Sequence, residues 1–145
     1  MKRLLSVMTA LICSLSMQAK SADLLPLAEY IPQNDMKDSA SRAYVSFRCS
    51  GMYLFIAEIT RSDPQTSEQY HSASIALFRN GVENLLIKGD NVANETMFGR
   101  DRVEQIRDIY AAKGEEHYNL TGRYAFPLMQ DDMQVCGAYA EMLGD

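Results

Sequence analysis

Two charged residues occupy positions that the apolar periodicity of the chain would otherwise bury. Arg48 lies about 40° from the centre of a helical apolar stripe that includes Val45 and Met52. Asp132 lies one helical turn before Cys136 on a partly apolar face. Because a charge removed from water needs an opposite charge or several hydrogen bonds, the pattern predicts that Arg48 and Asp132 belong to one polar cluster.

The predicted cluster has two further candidate members. His71 lies on the apolar stripe of the next helical segment, and Arg102 lies close to the stripe of the segment after that. A partly buried arginine binds carboxylate or phosphate groups well. One interpretation is therefore a pocket for a small anionic ligand, formed by Arg48, His71, Arg102 and Asp132. The other is an internal ion pair and a core histidine without a ligand.

Two cysteines, Cys49 and Cys136, lie on the apolar stripes of the first and last long helical segments. The third cysteine, Cys13, falls in a predicted signal peptide. An even number of cysteines in an exported chain favours a disulfide, although two free thiols are the alternative. A bridge that closes a loop of 87 residues would stabilise the fold by about 4–5 kcal/mol in the chain-entropy model.

Motifs for catalysis or metal binding are absent from the sequence. It contains no G-x-S-x-G, no H-E-x-x-H, no phosphate-binding glycine loop and no calcium loop. The two histidines, His71 and His117, lack metal-ligand spacing. The neighbouring Asp131 and Asp132 project about 100° apart on a helix, so they do not form a shared-proton pair by themselves. We therefore predict no catalytic residue, no metal and no cofactor.

Apolar residues recur at helical spacing in four segments, and no segment shows the sustained alternation of a strand. Pro64 and Pro127 suit helix starts, and Gly89 and Gly114 suit helix ends. The predicted helices cover about residues 36–61, 64–88, 92–113 and 128–143. Short turns between them favour an all-α, antiparallel bundle of about four main helices, with the disulfide joining the first to the last.

Small residues mark places where another backbone is expected to come close. One row of them follows a face of the first predicted helix, where a second helix, a second subunit or water could lie. Gly81 lies inside the second predicted helix, where glycine costs up to about 1 kcal/mol relative to alanine. This position favours a close helix crossing. The row consists of Ser39, Ala43, Ser46, Ser50 and Ala57.

The first residues have the form of a secretory signal peptide. Lys2 and Arg3 precede an apolar segment and then small residues, so we predict a signal at 1–19, with cleavage possible as late as residue 21. An N-terminal arm is then expected at 20–35 and a single helical domain at 36–145. An uncleaved membrane anchor is less compatible with this short, serine-diluted segment, so no stable membrane insertion is expected after cleavage.

The predicted mature chain is acidic. Loss of Lys2 and Arg3 from 14 basic residues, against 19 acidic ones, gives a net charge near −7. This charge argues against nucleic acid or anionic membrane as a partner and suits a partner with a basic surface. The leading hypothesis is a periplasmic or secreted, non-catalytic protein-binding module, such as an inhibitor or immunity-like protein, and a homo-oligomer is possible. A small-ligand binder and an enzyme of unrecognised type are the alternatives.

Overall fold

The computed structural model describes residues 24–87 and 91–144, and these residues form five helices and no strand. The all-α bundle with four main helices is confirmed, and a short helix precedes them. The predicted signal peptide at residues 1–19 lies outside the described residues. The helices are α1 Leu27–Gln33, α2 Ser39–Ile59, α3 Pro64–Leu86, α4 Val92–Thr121 and α5 Pro127–Gly144.

Helix α2 is the central element of the bundle. Nine consecutive residues, 45–53, are buried, so the helix is covered on every side and not along one stripe alone. Helices α3, α4 and α5 all contact it. Because α2 is enclosed, a charged residue at any of these nine positions lies in the interior, and Arg48 is one of them.

Helices α2, α3 and α4 run up, down and up. Ser50 and Ser74 donate hydrogen bonds to each other's carbonyl oxygens at 2.9 Å, which holds α3 closely against α2. Farther along, Ser67 donates to the Ala57 carbonyl at 2.8 Å, in antiparallel register. The row of small residues on α2 therefore packs at these points against α3, which is one of the three partners that the sequence left open.

Glycines in α3 and α4 provide room for two phenylalanine rings of α2. A Cβ atom added at Gly81 would lie 2.4 Å from the Phe47 ring, and one added at Gly99 would lie 2.9 Å from the same ring. A Cβ atom added at Gly114 would likewise lie 2.7 Å from the Phe55 ring. Gly81 is thus placed at a close crossing, as its position within the helix predicted.

The predicted end of the third main helix at Gly114 is wrong. Helix α4 continues through Gly99 and Gly114 to Thr121, over 30 residues, and its C-cap is Gly122, whose φ of 73° is left-handed. Gly114 accommodates Phe55 and does not stop the helix. The start of α2 also differs from the prediction, because Asp38 caps it and accepts a hydrogen bond from the Ser41 amide at 3.2 Å.

The disulfide between Cys49 and Cys136 is present and fully buried. It joins α2, the first of the four main helices, to the last, as predicted, and the short α1 within the predicted N-terminal arm precedes them. Leu27 at the start of α1 is completely buried, and α1 packs against α5. The buried Leu27 side chain therefore anchors the N-terminal arm to the bundle.

Within residues 24–87 and 91–144, no helix combines the length and the apolar character that crossing a membrane requires.

The close approach of α4 to α2 gives a paired test. A Cβ at Gly51 would lie 2.8 Å from the Val103 carbonyl oxygen, which belongs to the α4 backbone and cannot move aside alone. Gly51→Ala should therefore lower the free energy of unfolding by about 1–3 kcal/mol in urea denaturation. The matched variant Gly137→Ala, where an added Cβ meets nothing within 4 Å, should raise stability by about 0.5–1 kcal/mol. Equal effects of the two substitutions would contradict this packing.

Candidate functional site

Arg48 and Asp132 form an ion pair in the interior of the bundle. Both side chains are 0% exposed, and Nη2 of Arg48 lies 2.5 Å from Oδ2 of Asp132. Nε of Arg48 donates to the same oxygen at 3.0 Å. Arg48 belongs to α2 and Asp132 to α5, so the ion pair joins the same two helices as the disulfide. Arg48 immediately precedes Cys49, and Asp132 lies four residues before Cys136.

Two tyrosines complete the side-chain part of the cluster. The Tyr110 hydroxyl of α4 accepts from Nε of Arg48 at 3.2 Å and donates to Oδ2 of Asp132 in a short hydrogen bond. Nη1 of Arg48 donates to the Tyr44 hydroxyl at 3.3 Å. Tyr110 is itself 0% exposed, so the hydroxyl has no water to replace these partners.

The backbone that enters α1 closes the cluster. Nη1 of Arg48 also donates to the Leu25 carbonyl oxygen in a short hydrogen bond, and the Leu27 amide donates to Oδ1 of Asp132 at 2.7 Å. All three guanidinium nitrogens and both carboxylate oxygens therefore have protein partners. We call Arg48, Asp132, Tyr110 and Tyr44, with the backbone of 25 and 27, the Arg48 cluster.

The protonation states of the cluster follow from its burial. Burial raises the pKa of Tyr110 well above its ordinary value; the Arg48 charge opposes this shift, and the Asp132 charge adds to it. Tyr110 therefore remains a hydroxyl that donates to the carboxylate. Burial by itself would lower the pKa of Arg48, but the Tyr110 oxygen and the Asp132 carboxylate together raise that pKa above its usual range. Arg48 is thus a permanent cation inside the bundle.

The structure brings together two of the four predicted ligand-binding residues. His71 is exposed and lines a shallow depression with Glu58, Arg61 and Glu68, so it does not belong to the Arg48 cluster. The buried residues of α3 are Ser74, Leu77, Gly81, Val82 and Asn84. Ser74, Gly81 and Val82 lie on the predicted apolar face. His71 and Ile75, predicted on the same face, are exposed, because the buried face is centred on the small residues that pack closest to α2.

Arg102 lies one contact away from the cluster. Its guanidinium carbon is 5.6 Å from the centre of the Tyr44 ring, whose hydroxyl accepts from Arg48. Arg102 is half-buried and lines a cavity between α2, α3 and α4. It therefore neighbours the Arg48 cluster through Tyr44 without contacting Asp132.

Sequence reasoning missed the two groups that donate to Asp132 besides Arg48, which are the Tyr110 hydroxyl and the Leu27 amide. Tyr110 falls on the apolar stripe of α4 together with Ile106, and so it reads as an ordinary core residue. A tyrosine at the centre of such a stripe is a candidate partner whenever the chain also has to bury a carboxylate, because its hydroxyl needs an acceptor. The Leu27 amide gives no comparable signal, since it lies 105 residues from Asp132 and any residue except proline has this donor.

His117 has a local structural partner. His117 uses Nδ1 in a 2.8 Å hydrogen bond with the Arg123 carbonyl oxygen, just beyond the end of α4. Among the described residues, no group of three or more His, Cys, Asp and Glu side chains is arranged to hold a metal ion.

Several exposed apolar residues lie at the end of α3 and at the start of α4. Four large apolar side chains there are between 57% and 68% exposed. They come from the end of α3 and the first two turns of α4, and the residues bordering them in sequence include Glu83, Glu95 and Asp101. We call this the α3–α4 surface, and its apolar members are Ile87, Val92, Met97 and Phe98.

Comparisons with protein-family models, with curated proteins and with solved structures find no match to this chain. Its function is therefore inferred from its own geometry.

The buried ion pair can be tested against an exposed one in the same chain. Asp132→Asn keeps the side-chain shape but leaves Arg48 as an uncompensated buried charge, which should lower the free energy of unfolding by about 3–5 kcal/mol. The control is Arg107→Ala, which breaks the 2.9 Å pair with Glu58; these side chains are 30% and 29% exposed. That change should cost about 0–1 kcal/mol. Urea denaturation measures both, and an Asp132→Asn variant as stable as the control would refute the buried pair.

Proposed function

We propose that this chain is an exported, non-catalytic protein that binds another protein through the α3–α4 surface. The observation that carries the proposal is the exposure of Ile87, Val92, Met97 and Phe98 at one end of the bundle. Large apolar side chains grouped on a soluble fold are typical of an interaction site. Aromatic residues and methionine are also enriched in protein interfaces, and this surface has one of each.

The charge of the chain favours a partner with a basic surface. The predicted mature chain has a net charge near −7, from 12 basic and 19 acidic residues. Acidic and basic residues both lie near the α3–α4 surface in sequence, namely Glu83, Asp90, Glu95 and Asp101 with Lys88, Arg100 and Arg102, so the preference for a basic partner rests on the net charge of the chain. Charges around an apolar centre guide encounter and select partners of opposite sign. An inhibitor or immunity-like role toward a basic protein fits this arrangement.

The proposed location is the periplasm or the outside of the cell. The first 19 residues have the form of a signal peptide, and the buried Cys49–Cys136 disulfide is compatible with an oxidising compartment.

The alternative of an anionic ligand bound by Arg48 and Asp132 has less support from the geometry. Both side chains are fully buried, and their hydrogen-bonding atoms already have partners within the chain. A ligand at this position would have to displace Asp132 or the backbone that enters α1. The Arg48 cluster is therefore better explained as a structural element, and binding is better placed on the surface.

The test compares two pairs of substitutions at opposite ends of α4. The combination Ile87→Ser and Met97→Ser removes apolar side chains from the α3–α4 surface. The control combination Tyr118→Ser and Leu120→Ser removes similarly exposed side chains about 35 Å away along the helix. Captured envelope proteins are identified, purified and titrated against each variant by calorimetry, at low and at high salt.

We expect a stoichiometric partner whose affinity falls at least tenfold with the α3–α4 variant, because truncated residues at an interface centre cost more than about 1.4 kcal/mol. The control pair should leave affinity unchanged, and higher salt should weaken binding to a basic partner. A partner that loses affinity only with the control pair, or no partner at all, contradicts the proposal.

A further inference from the structure

A cavity of about 230 Å³ lies between the first half of α2, the end of α3 and the start of α4. Its walls are almost entirely apolar: Ala43 and Phe47 come from α2, Leu85 from α3 and Phe98 from α4. Phe98 is 57% exposed and so stands at the opening of the cavity. Apolar cavities with one or two polar groups are typical of small-molecule sites.

Among the described residues, Arg102 is the only charged one that lines this cavity. It forms no ion pair with any carboxylate in the part of the chain that the structure describes. Its guanidinium instead lies 5.6 Å from the centre of the Tyr44 ring, a cation–π arrangement that restrains the side chain at the wall. The wall of the cavity therefore carries one positive charge that no carboxylate of residues 24–87 and 91–144 neutralises.

Tyr44 contributes its ring to the cavity, while its hydroxyl is used elsewhere. The hydroxyl accepts a hydrogen bond from Arg48 at 3.3 Å in the buried cluster. The guanidinium of Arg102 is thus the principal polar group available to a bound molecule, and its planar fork of N–H donors matches a carboxylate. A phosphate dianion has more charge and more acceptor atoms than this single group would satisfy.

We propose that this cavity binds a small apolar monocarboxylate, with the carboxylate on Arg102 and the apolar part against Phe47 and Leu85. The size is suitable, because an apolar protein cavity of about 150 Å³ already accepts benzene. A volume of about 230 Å³ therefore suits one aromatic ring with a short acid side chain, or a short acyl chain. The site does not depend on the proposed protein partner, and it uses none of the atoms of the Arg48–Asp132 ion pair.

Phenylacetate is the probe, and two analogues separate its charge from its apolar part. Isothermal titration calorimetry of the purified protein should show saturable one-to-one binding of phenylacetate. Phenylacetamide has the same ring without the charge and should bind at least tenfold more weakly. Acetate has the charge without the ring and should show no measurable binding, since the apolar walls then contribute nothing.

Two variants locate the binding site. Arg102→Met retains an apolar stem and removes the guanidinium, so phenylacetate affinity should fall at least tenfold while affinity for phenylacetamide is unchanged. The matched control is Arg100→Met, which removes an exposed arginine from the same helix that does not line this cavity. The control should bind phenylacetate as the unmodified protein does. Circular dichroism confirms that each variant remains folded, so a loss of binding is attributable to the cavity.

Three results would overturn the inference. These are the absence of saturable phenylacetate binding to the folded protein, equal affinity for phenylacetate and phenylacetamide, and binding that Arg102→Met leaves intact. None of these results would bear on the proposed protein partner. That proposal is tested by Ile87→Ser and Met97→Ser, and neither Ile87 nor Met97 lines this cavity.

Discussion

The burial of the Arg48 guanidinium is the constraint on which the rest of the structure depends. An arginine is a permanent cation, so removing it from water costs several kcal/mol unless a carboxylate and further acceptors surround it. Here those groups come from four separate parts of the chain: Asp132 from α5, Tyr110 from α4, Tyr44 from α2 itself and the Leu25 carbonyl oxygen before α1. The Leu27 amide then donates to Asp132. The fold is stable only when these parts meet, because a partial set would leave a buried charge or a buried carboxylate unsatisfied. The adjacent disulfide links α2 and α5 covalently at the same place, and it also reduces the conformational entropy of the unfolded chain.

The sequence indicates half of this arrangement for a clear physical reason. Arg48 and Asp132 both interrupt apolar helical faces beside a cysteine, and a disulfide between the two faces would bring the charges together, as the structure has it. His71 was predicted from the same kind of periodicity, but a stripe of large apolar residues does not fix which face of a helix is inside. Ser74 and Gly81 fix it, because small side chains allow α3 to approach α2 most closely. In the same way Gly114 looks like a helix end in the sequence, whereas its role depends on the Phe55 ring that packs over it. Which face of a helix is buried, and whether a glycine ends it, therefore depends on the neighbouring helix and not on the sequence of the helix alone.

The Arg48 cluster is buried, and its hydrogen-bonding atoms are already paired within the chain. Fully paired buried charges specify how the helices assemble and offer little to an external ligand. We therefore propose binding where side chains have unused capacity: at the apolar residues of the α3–α4 surface and at the guanidinium of Arg102 over the Tyr44 ring. Tyr44 connects the two regions, since its ring contacts Arg102 and its hydroxyl contacts Arg48. The rigid interior thereby holds the wall of the neighbouring cavity in place, which reduces the ordering cost of binding there.

Hydrogen exchange of the Leu27 amide tests the central claim most directly. Leu27 stands near the beginning of the described chain, where a merely draped arm would open easily and exchange fast. If this amide completes the hydrogen bonding of Asp132, its opening free energy should equal the global free energy of unfolding measured by denaturation. The Nε proton of Arg48 should also be protected from exchange, as detected by NMR. Exchange of the Leu27 amide with an opening free energy near zero, in protein whose α2 amides remain protected, would contradict the account. In that case the Arg48–Asp132 pair would not depend on the N-terminal segment for its burial.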